Sequence, residues 1–222
     1  MPHVIHKIPR VAAEFVRQYN ELSSATVHEA YGRRGALSSR LKPISPEMKV
    51  CGSAVTVKVG PGDNLMLHKA IYVAQKGDVI IADAEGYEAG AWGEIMAVAA
   101  QQRGITGFVF NGMVRDADAM TKLGFPVFSC GLCIKGTDKI SLGWINHPLN
   151  LDNITIHPGD LILGDRDGVV VVRREEVQEV MQKSLAREEK ERGVKERLKR
   201  GETTLDMFGF GEILKTRGLT EE

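Results

Sequence analysis

An acidic residue and an Arg-Asp pair stand twenty residues apart in the chain, with Glu94 preceding Arg115-Asp116. Carboxylates are hard oxygen ligands of the kind that Mg²⁺ and Mn²⁺ take, with water filling the remaining positions. Arg115 offers a planar guanidinium group for a carboxylate or an enolate oxygen. These residue types therefore indicate metal-assisted chemistry on a small anion.

The residues around the acid add a second possible anion site. Gly93, Glu94, Ile95 and Met96 are predicted to form the first turn of a helix, where backbone N–H groups have no intrahelical partners. Those groups and the helix dipole suit a substrate carboxylate, and Gly93 allows a ligand to approach the backbone closely. Simpler interpretations stay open, because an acid at a helix start is often a dipole residue and an Arg-Asp pair is often a surface salt bridge.

Both halves of this motif follow predicted strands. The middle of the chain reads as strand, helix, strand and helix over residues 79–83, 93–103, 107–112 and 116–123. That alternation favours parallel strands joined by right-handed crossovers, and ligands gather beyond the carboxyl ends of such strands. If the two strands are neighbours, the helix and return strand between Glu94 and Arg115 bring the two halves together.

The flanking regions predict further elements. An amphipathic helix is expected over 11–31, with a possible interruption at Ser23-Ser24, followed by a half-buried strand at 51–60 and a helix at 65–75. From residue 126 onward, short strands separated by Gly-Asp turns suggest a meander or a second sheet layer. Residues 174–200 predict a long charged helix, either solvated or packed across a neighbouring subunit.

Three other sets of residues could have a chemical role. Lys135 is a candidate Schiff-base lysine, although a structural or subunit contact is the favoured interpretation. Cys130 and Cys133 have redox or zinc spacing, but without a second Cys pair we favour buried, structural thiols. The histidines His28 and His68 are expected to be packing or interface residues. His68 is also a candidate pocket residue, together with Asn64 and Asp63.

Composition excludes several classes of function. The chain has 222 residues, of which 43% are hydrophobic and 26% charged, and its formal net charge is zero. We therefore expect one globular domain without a nucleic-acid partner, since no global basic field is present. The apolar stretches are too short to span a membrane, and the odd number of cysteines favours a cytoplasmic location. No glycine-rich motif indicates a nicotinamide cofactor, a methyl donor or a Walker-type phosphate loop.

Several segments carry a resemblance to a known family. They are "PGDNLMLHKAI", "WGEIMAVAAQQRGITGFVFNGMVRD", "GFPVF", "CIKGT" and "PGDLILGDRDGVVVV". In this order they resemble the 4-hydroxy-4-methyl-2-oxoglutarate / 4-carboxy-4-hydroxy-2-oxoadipate aldolase family, the metal-dependent (class II) pyruvate aldolases. The same superfamily includes RraA, the regulator of ribonuclease E activity. The aldolases usually carry Asp as the acid of the motif, whereas this chain carries Glu94, which reaches one methylene further.

The resemblance implies an architecture and an assembly. The expected fold is α/β, a layered swivelling β/β/α-type (RraA-like) domain with N- and C-terminal helical extensions. It would form a single domain over residues 1–222, with 174–222 a helical extension that contacts another subunit. A homotrimer or homohexamer is expected, with active sites at the subunit interfaces.

The resemblance also implies roles for the motif residues. Asp116 would contact a divalent cation, Mg²⁺ or Mn²⁺, directly, and Glu94 would act through metal-bound water. Arg115 would hold the pyruvyl oxygen, while the backbone of the helical turn from Gly93 would hold the substrate carboxylate. Glu191 of a neighbouring subunit would complete the water shell.

The implied activity is a carbon–carbon lyase reaction on a small 2-oxo acid. The substrate would be 4-hydroxy-4-methyl-2-oxoglutarate or 4-carboxy-4-hydroxy-2-oxoadipate, cleaved to pyruvate and a second 2-oxo acid, with oxaloacetate decarboxylation as a side activity. A rival hypothesis is a non-enzymatic RraA-like protein that binds and regulates a ribonuclease. A carboxylate at position 94 favours the enzyme, because a binding scaffold has no need of it. A third hypothesis keeps the same chemistry with a different 2-oxo acid.

Overall fold

A nine-stranded mixed sheet forms the centre of the computed structural model, which describes residues 2–221. The described residues contain eleven strands. They are β1 (His3–Val4), β2 (Lys42–Pro43), β3 (Val50–Lys58), β4 (Asp78–Asp83), β5 (Gly107–Asn111), β6 (Val127–Ser129), β7 (Trp144–Ile145), β8 (Leu149–Leu151), β9 (Ile154–Ile156), β10 (Leu161–Asp165) and β11 (Gly168–Val172). All but β8 and β9 belong to this sheet. The α-helices are α1 (Ala13–Glu21), α2 (Ser24–Ala30), α3 (Leu65–Val73), α4 (Glu94–Gln102), α5 (Ala117–Leu123), α6 (Val177–Lys199), α7 (Thr204–Met207) and α8 (Phe210–Thr216).

The parallel part of the sheet contains the predicted strand–helix alternation. Strands β3, β4, β5 and β6 lie side by side in that order, and each adjacent pair is parallel. Helices α3, α4 and α5 form the connections between them. The predicted elements of this region are confirmed, with ends that differ by one or two residues.

Strand β3 differs from the expectation of a half-buried strand. Its residues from Val50 to Val57 are all buried. One edge pairs with β4, and the other pairs with β10 near its start and with β7 near its end. Both faces are also covered, because Val55 and Val57 belong to one apolar cluster and Val50 and Ala54 to another. The half-buried prediction was wrong because β3 occupies the middle of the molecule.

The later strands divide between the main sheet and a small second layer. Strand β6 joins the parallel sheet, and the antiparallel hairpin of β10 and β11 attaches to β3. Only β8 and β9 form a separate two-stranded sheet among the described residues. The prediction of a meander or second layer from residue 126 is therefore correct for β8–β9 and wrong for β6. Strands β10 and β11 form an antiparallel hairpin, but within the main sheet.

Apolar clusters on both sides of the sheet give the layered arrangement. One cluster joins the sheet to the helices α3 to α5 through residues such as Leu67, Ala97 and Met120. On the other face, Leu149 and Ile156 of the small sheet pack with Val79 and other sheet residues. Helix, sheet and second β layer therefore stack in sequence, which confirms the predicted layered α/β fold.

The N-terminal helices and the start of α6 share a third cluster. Helix α1 ends at Glu21, and Ser23 caps the start of α2, because its Oγ accepts a hydrogen bond from the Thr26 N–H at 3.1 Å. This serine side chain is the physical reason for the predicted interruption. Tyr19 is buried in the cluster, and its hydroxyl donates to the backbone carbonyl of Val177 at 2.8 Å.

The chain divides into two compact units, residues 1–184 and 185–222. The second unit contains the charged remainder of α6 with α7 and α8, and ion pairs such as Arg197–Glu202 at 2.6 Å lie along it. The prediction of a single domain with an extension from residue 174 stays a prediction. Across residues 2–221, no helix combines the length and apolar character needed to cross a membrane.

Candidate functional site

The two halves of the motif meet at one edge of the sheet. Strands β4 and β5 are parallel neighbours whose last residues, Asp83 and Asn111, are paired. Beyond the strands the backbone pairing continues: the Ala91 N–H donates to the Met113 carbonyl at 3.0 Å, and the Arg115 N–H donates to the Trp92 carbonyl at 2.9 Å. This pairing carries Gly93 to a position beside Asp116.

Trp92 anchors the loop that contains Gly93 to the core. Its side chain is fully buried and stacks on Phe108 of β5 with ring centroids 4.0 Å apart, and on Phe125 at 6.3 Å. Aromatic stacking of this kind adds to the burial of large apolar area. The residue before Gly93 is therefore held by strand β5, the same strand that leads to Arg115. Sequence reasoning gave Trp92 no role, since one aromatic residue in a loop has no periodic signal.

Gly93 and Asp116 are in close contact. A Cβ atom added at Gly93 would lie 2.3 Å from Asp116 Oδ2. The backbone of Gly93 is extended, with φ of −150°, so space rather than conformation demands glycine here. Asp116 itself has a left-handed backbone, φ 58° and ψ 37°, at the residue before α5. Non-glycine residues seldom adopt that conformation, and Asp is among those that tolerate it best.

The start of α4 faces these side chains. The Ala97 N–H donates to the Gly93 carbonyl at 3.0 Å as the first bond of the helix, and the Glu94 N–H donates to Asp116 Oδ2 at 3.2 Å. Helix geometry leaves the next first-turn N–H groups, of Ile95 and Met96, without intrahelical partners. The predicted helix start is thus present, and Gly93 is its cap rather than its first residue.

Arg115 and Asp116 stand between two clefts. One cleft, of about 290 Å³, is lined by Asn64, His68, Gly90, Ala91, Gly93, Ile95, Met96, Arg115, Asp116, Gly136, Thr137 and Lys139. The other, of about 410 Å³, is lined by Arg115, Asp116, Ala117, Leu132, Cys133 and Ile134. Besides the pair, the first cleft is lined by polar side chains such as Asn64, His68 and Thr137, and the second is lined by Leu132 and Ile134. Both side chains of the pair remain half-exposed, with their Nε and Oδ2 atoms 3.8 Å apart.

Polar residues of the first cleft come from helix α3, from Asn64 at its N-cap and from the loop 136–141. Asn64 is 7% exposed, and its side-chain amide donates to the Ala91 carbonyl at 3.0 Å. Within residues 2–221 its Oδ1 has no hydrogen-bond partner. Burial, with a smaller contribution from the nearby Lys139 charge, lowers the pKa of His68 below its ordinary value. The cleft therefore contains an unsatisfied acceptor, an imidazole that favours its neutral form and a lysine.

Asp63 lies behind this wall and holds it in place. Its carboxylate accepts hydrogen bonds from the backbone N–H groups of Leu65, Ile140 and Ser141 at 2.7 to 2.8 Å. Burial alone would raise the pKa of Asp63, but these hydrogen bonds outweigh it and lower the pKa. Asp63, grouped with His68 and Asn64 as a candidate pocket residue, therefore acts as an anchor for the loop instead of lining the cleft.

A separate polar network lies at the same edge of the sheet, on the face that points away from the helices. Side chains alternate along β4, so Asp83 shares a face with Val79 and Ile81, away from the helices. Asp83 pairs with Lys58 at 2.5 Å and accepts from the Asn111 amide at 2.7 Å. These contacts satisfy the Asp83 carboxylate, so it offers no ligand to the clefts. The end of β4 only positions the loop that follows it.

The remaining candidates lie in structural settings. Lys135 is exposed and pairs with Glu88 at 3.4 Å, so its amine lacks the desolvation that Schiff-base chemistry requires. Cys130 and Cys133 are free thiols, but both are only half-buried, so the prediction of buried thiols was wrong. Cys130 directly follows β6, and partial burial raises its pKa. The imidazole of His28 lies 3.0 Å from the Arg34 carbonyl, as expected for a packing residue.

Glu191 lies on α6 within the second unit and pairs with Arg187 at 2.9 Å. Its role at a neighbouring subunit's site stays a prediction. Among residues 2–221, no group of three or more His, Cys, Asp and Glu side chains is arranged to hold a metal ion. A cation at this edge would therefore depend on Asp116 and Glu94 with water or a second subunit.

Known proteins resemble this chain over most of its length. Residues 24–171 match the family model described as RraA-like: Aldolase/RraA. A protein of Halalkalibacterium halodurans, named "Putative 4-hydroxy-4-methyl-2-oxoglutarate aldolase", is 38% identical over 172 residues, which is 77% of this chain and 82% of the relative.

Solved structures show the same fold. An uncharacterized protein from Pseudomonas syringae superposes with a TM-score of 0.81 at 30% identity, covering 89% of this chain and 93% of its own. Streptomyces coelicolor RraAS2, described as an unusual member of the RNase ES inhibitor RraA protein family, gives a TM-score of 0.73 at 28% identity over 85% of this chain and 100% of its own. By sequence and by structure, the chain belongs to the RraA-like (Aldolase/RraA) family.

Proposed function

We propose that the protein is a divalent-metal-dependent pyruvate aldolase. It would cleave 4-hydroxy-4-methyl-2-oxoglutarate or 4-carboxy-4-hydroxy-2-oxoadipate to pyruvate and a second 2-oxo acid, and would decarboxylate oxaloacetate as a side activity. The observation that carries this proposal is the convergence of Arg115 and Asp116 on the first turn of α4 at Gly93. The relative from Halalkalibacterium halodurans supports it by name.

The donor set at this edge fits Mg²⁺ or Mn²⁺. Mg²⁺ commonly binds proteins through one or two carboxylates and keeps several waters. Asp116 meets this need, because its side chain is 44% exposed and its Oδ2 accepts one long hydrogen bond, from the Glu94 N–H. Asp116 would hold the ion directly and Glu94 would hold it through water. When bound, the ion supplies Lewis-acid polarisation of the 2-oxo group.

The protein groups would perform the binding and the charge stabilisation. The first turn of α4 presents N–H groups and the positive end of its dipole to the substrate carboxylate. Cleavage of the bond between C3 and C4 leaves pyruvate enolate, and Arg115 would place a fixed positive charge near its oxygen. Glu94 would accept the proton of the C4 hydroxyl through water.

The polar cleft suits a substrate with a second carboxylate. Lys139 contributes a positive charge, Thr137 a hydroxyl group and Asn64 an amide to its wall. The proposed substrates share this requirement, since both aldol substrates carry a carboxylate on C4 and the second carboxylate of oxaloacetate is C4 itself. A compact 2-oxo acid with at least one further carboxylate is therefore the substrate class that this wall favours.

A second candidate function is a non-enzymatic, RraA-like binding protein that regulates a ribonuclease. The likeness to Streptomyces coelicolor RraAS2 favours it. The exposed apolar side chains Leu132, Ile134 and Ile140 would suit a protein surface of this kind. The two functions differ in their need for Glu94, which only the enzyme requires.

Pyruvate release tests the proposal. Purified protein is assayed with Mn²⁺ or Mg²⁺ on oxaloacetate and on 4-hydroxy-4-methyl-2-oxoglutarate, with and without EDTA. We expect metal-dependent release, reduced about 10²–10³-fold in Asp116→Ala and Arg115→Ala and clearly reduced in Glu94→Gln. Asp118→Ala, which removes a neighbouring exposed carboxylate of α5, serves as the matched control and should keep wild-type activity.

Two other results would contradict a metal-dependent aldolase. Failure to release pyruvate from either substrate with either metal contradicts the aldolase, and inhibition of a ribonuclease by the same preparation then supports the binding protein. Borohydride trapping of substrate on the protein, together with activity that survives EDTA, would instead assign the reaction to a lysine.

A further inference from the structure

Two imidazoles from distant parts of the chain meet outside the candidate site. His3 of strand β1 and His147, two residues after strand β7, bring Nδ1 and Nε2 within 2.9 Å. Both rings are accessible to solvent to some degree, and their centroids lie 5.1 Å apart with the planes inclined at 62°. One proton shared between the two nitrogens would make this contact a hydrogen bond. Two imidazole nitrogens at this separation are also close enough to bind one metal ion together.

The spacing favours one class of ion. With metal–nitrogen bonds of about 2.05 Å, two nitrogens 2.9 Å apart subtend roughly 90° at the metal. That angle belongs to neighbouring positions of a tetragonal or octahedral centre, whereas a tetrahedral zinc site needs a wider one. Imidazole nitrogen with tetragonal geometry is characteristic of Cu²⁺ and Ni²⁺. Water would occupy the other positions.

The backbone under both rings is fixed by hydrogen bonds. Strand β1 pairs with β7 in parallel, and the Ile5 N–H donates to the Ile145 carbonyl at 3.1 Å. The Asn146 amide, which is buried, donates to the Ile5 carbonyl at 2.7 Å. The Thr56 hydroxyl donates to the His147 carbonyl at 2.6 Å. Pre-organised ligands of this kind reduce the ordering cost of binding an ion.

We propose that His3 and His147 form a second metal site, selective for Cu²⁺ and Ni²⁺ over Mg²⁺ and Mn²⁺, which clips strand β1 to the sheet. Strand β1 consists of two residues, and its pairing with β7 joins it to the sheet. A shared ion would therefore hold the beginning of the described chain against local opening. The site uses nitrogen ligands, so it is chemically distinct from the carboxylates Glu94 and Asp116.

Metal titration of the full chain tests the proposal. The protein is stripped with EDTA, desalted and titrated with Cu²⁺, Ni²⁺ or Mn²⁺ by calorimetry, in an Asp116→Ala background to remove the proposed catalytic site. We expect one Cu²⁺ per chain at this site, affinity in the order Cu²⁺ above Ni²⁺, and no Mn²⁺ binding. His3→Ala and His147→Ala should each weaken Cu²⁺ binding at least tenfold, while the matched control His6→Ala should not.

Two independent readouts complete the test. The electron paramagnetic resonance spectrum of bound Cu²⁺ should show two equivalent nitrogens in wild type and one in either histidine variant. Hydrogen exchange at the Ile5 amide should slow when Cu²⁺ is added. Undiminished Cu²⁺ affinity in His147→Ala would overturn the proposal, as would a loss confined to His3→Ala, because the ion would then be held without the pair.

Discussion

Position 93 requires glycine because a larger side chain has no room there. Its extended backbone is open to any residue, yet a Cβ there would lie 2.3 Å from Asp116 Oδ2. Substitution must displace the carboxylate that is proposed to hold the cation. The reason for this glycine is therefore visible only when the two loop ends are seen together.

Gly93→Ala should abolish most of the proposed activity while preserving the fold. We expect kcat/KM for pyruvate release to fall about 10²-fold or more, since small displacements of catalytic groups have effects of this size. Gly136→Ala is a matched control, because Gly136 lines the same cleft and its added Cβ would meet no atom within 4 Å. Equal activity in the two variants would contradict the role given to the contact between Gly93 and Asp116.

Part of the candidate site could be predicted from residue types and spacing. The sequence indicates Glu94, Arg115 and Asp116 because their chemistry is recognisable and the strand and helix between them follow from the residue pattern. Two features were out of reach: the left-handed backbone of Asp116 and the stacking of Trp92 on Phe108. Both depend on contacts between segments that no local pattern encodes.

At the scale of elements, Asp63 joins helix α3 to the loop 136–141. Its carboxylate is 3% exposed and accepts three backbone hydrogen bonds from these segments. Asp63→Asn should lower the free energy of unfolding by about 1.5–3 kcal/mol at pH 7, because hydrogen bonds to a charged group are lost or weakened. It should also raise KM, since Thr137 and Lys139 belong to the loop. Urea denaturation and steady-state kinetics measure the two effects.

The same carboxylate predicts a dependence on pH. Its pKa is lowered in the folded protein, so its stabilisation is present above the unfolded-state pKa of about 3.9 and is lost as pH falls through the lower folded-state value. The stability difference between wild type and Asp63→Asn should therefore shrink as the pH is lowered from 7 to 3. Asp138→Asn, an exposed change in the same loop, should show no such difference. A constant difference across this range would contradict the assignment.

Element types were predicted more successfully than element surroundings. Helices α3, α4 and α5 and strands β4 and β5 follow from periodicity and turn residues. The environment of β3 did not, because its burial depends on β10 and β7, which pair with it from more than eighty residues further along the chain. Register between distant strands is a property of the folded molecule rather than of the segment.

At the scale of the whole molecule, the prediction is that the chain assembles into a homotrimer or homohexamer. Large apolar side chains border the clefts, and Ile134 is 95% exposed. Exposed apolar groups of this kind mark interaction surfaces. Light scattering should give the mass of the expected trimer or hexamer, and Ile134→Glu should produce a smaller species. Tyr72→Glu, at another exposed apolar residue that lines neither cleft, should keep the wild-type mass. An unchanged mass in Ile134→Glu would exclude this surface from the subunit contact.

The two clefts beside Arg115 and Asp116 have walls that come from different chain segments. Helix α3 and the loop 136–141 build one wall, residues 132–134 build the other, and the charged pair itself belongs to the edge of β4 and β5. Exposed wall side chains such as Lys139 and Ile134 could be replaced while the backbone pairing that positions the pair is kept. Descendants of one ancestral gene could therefore diverge in the molecules they recognise while inheriting an unaltered reaction centre.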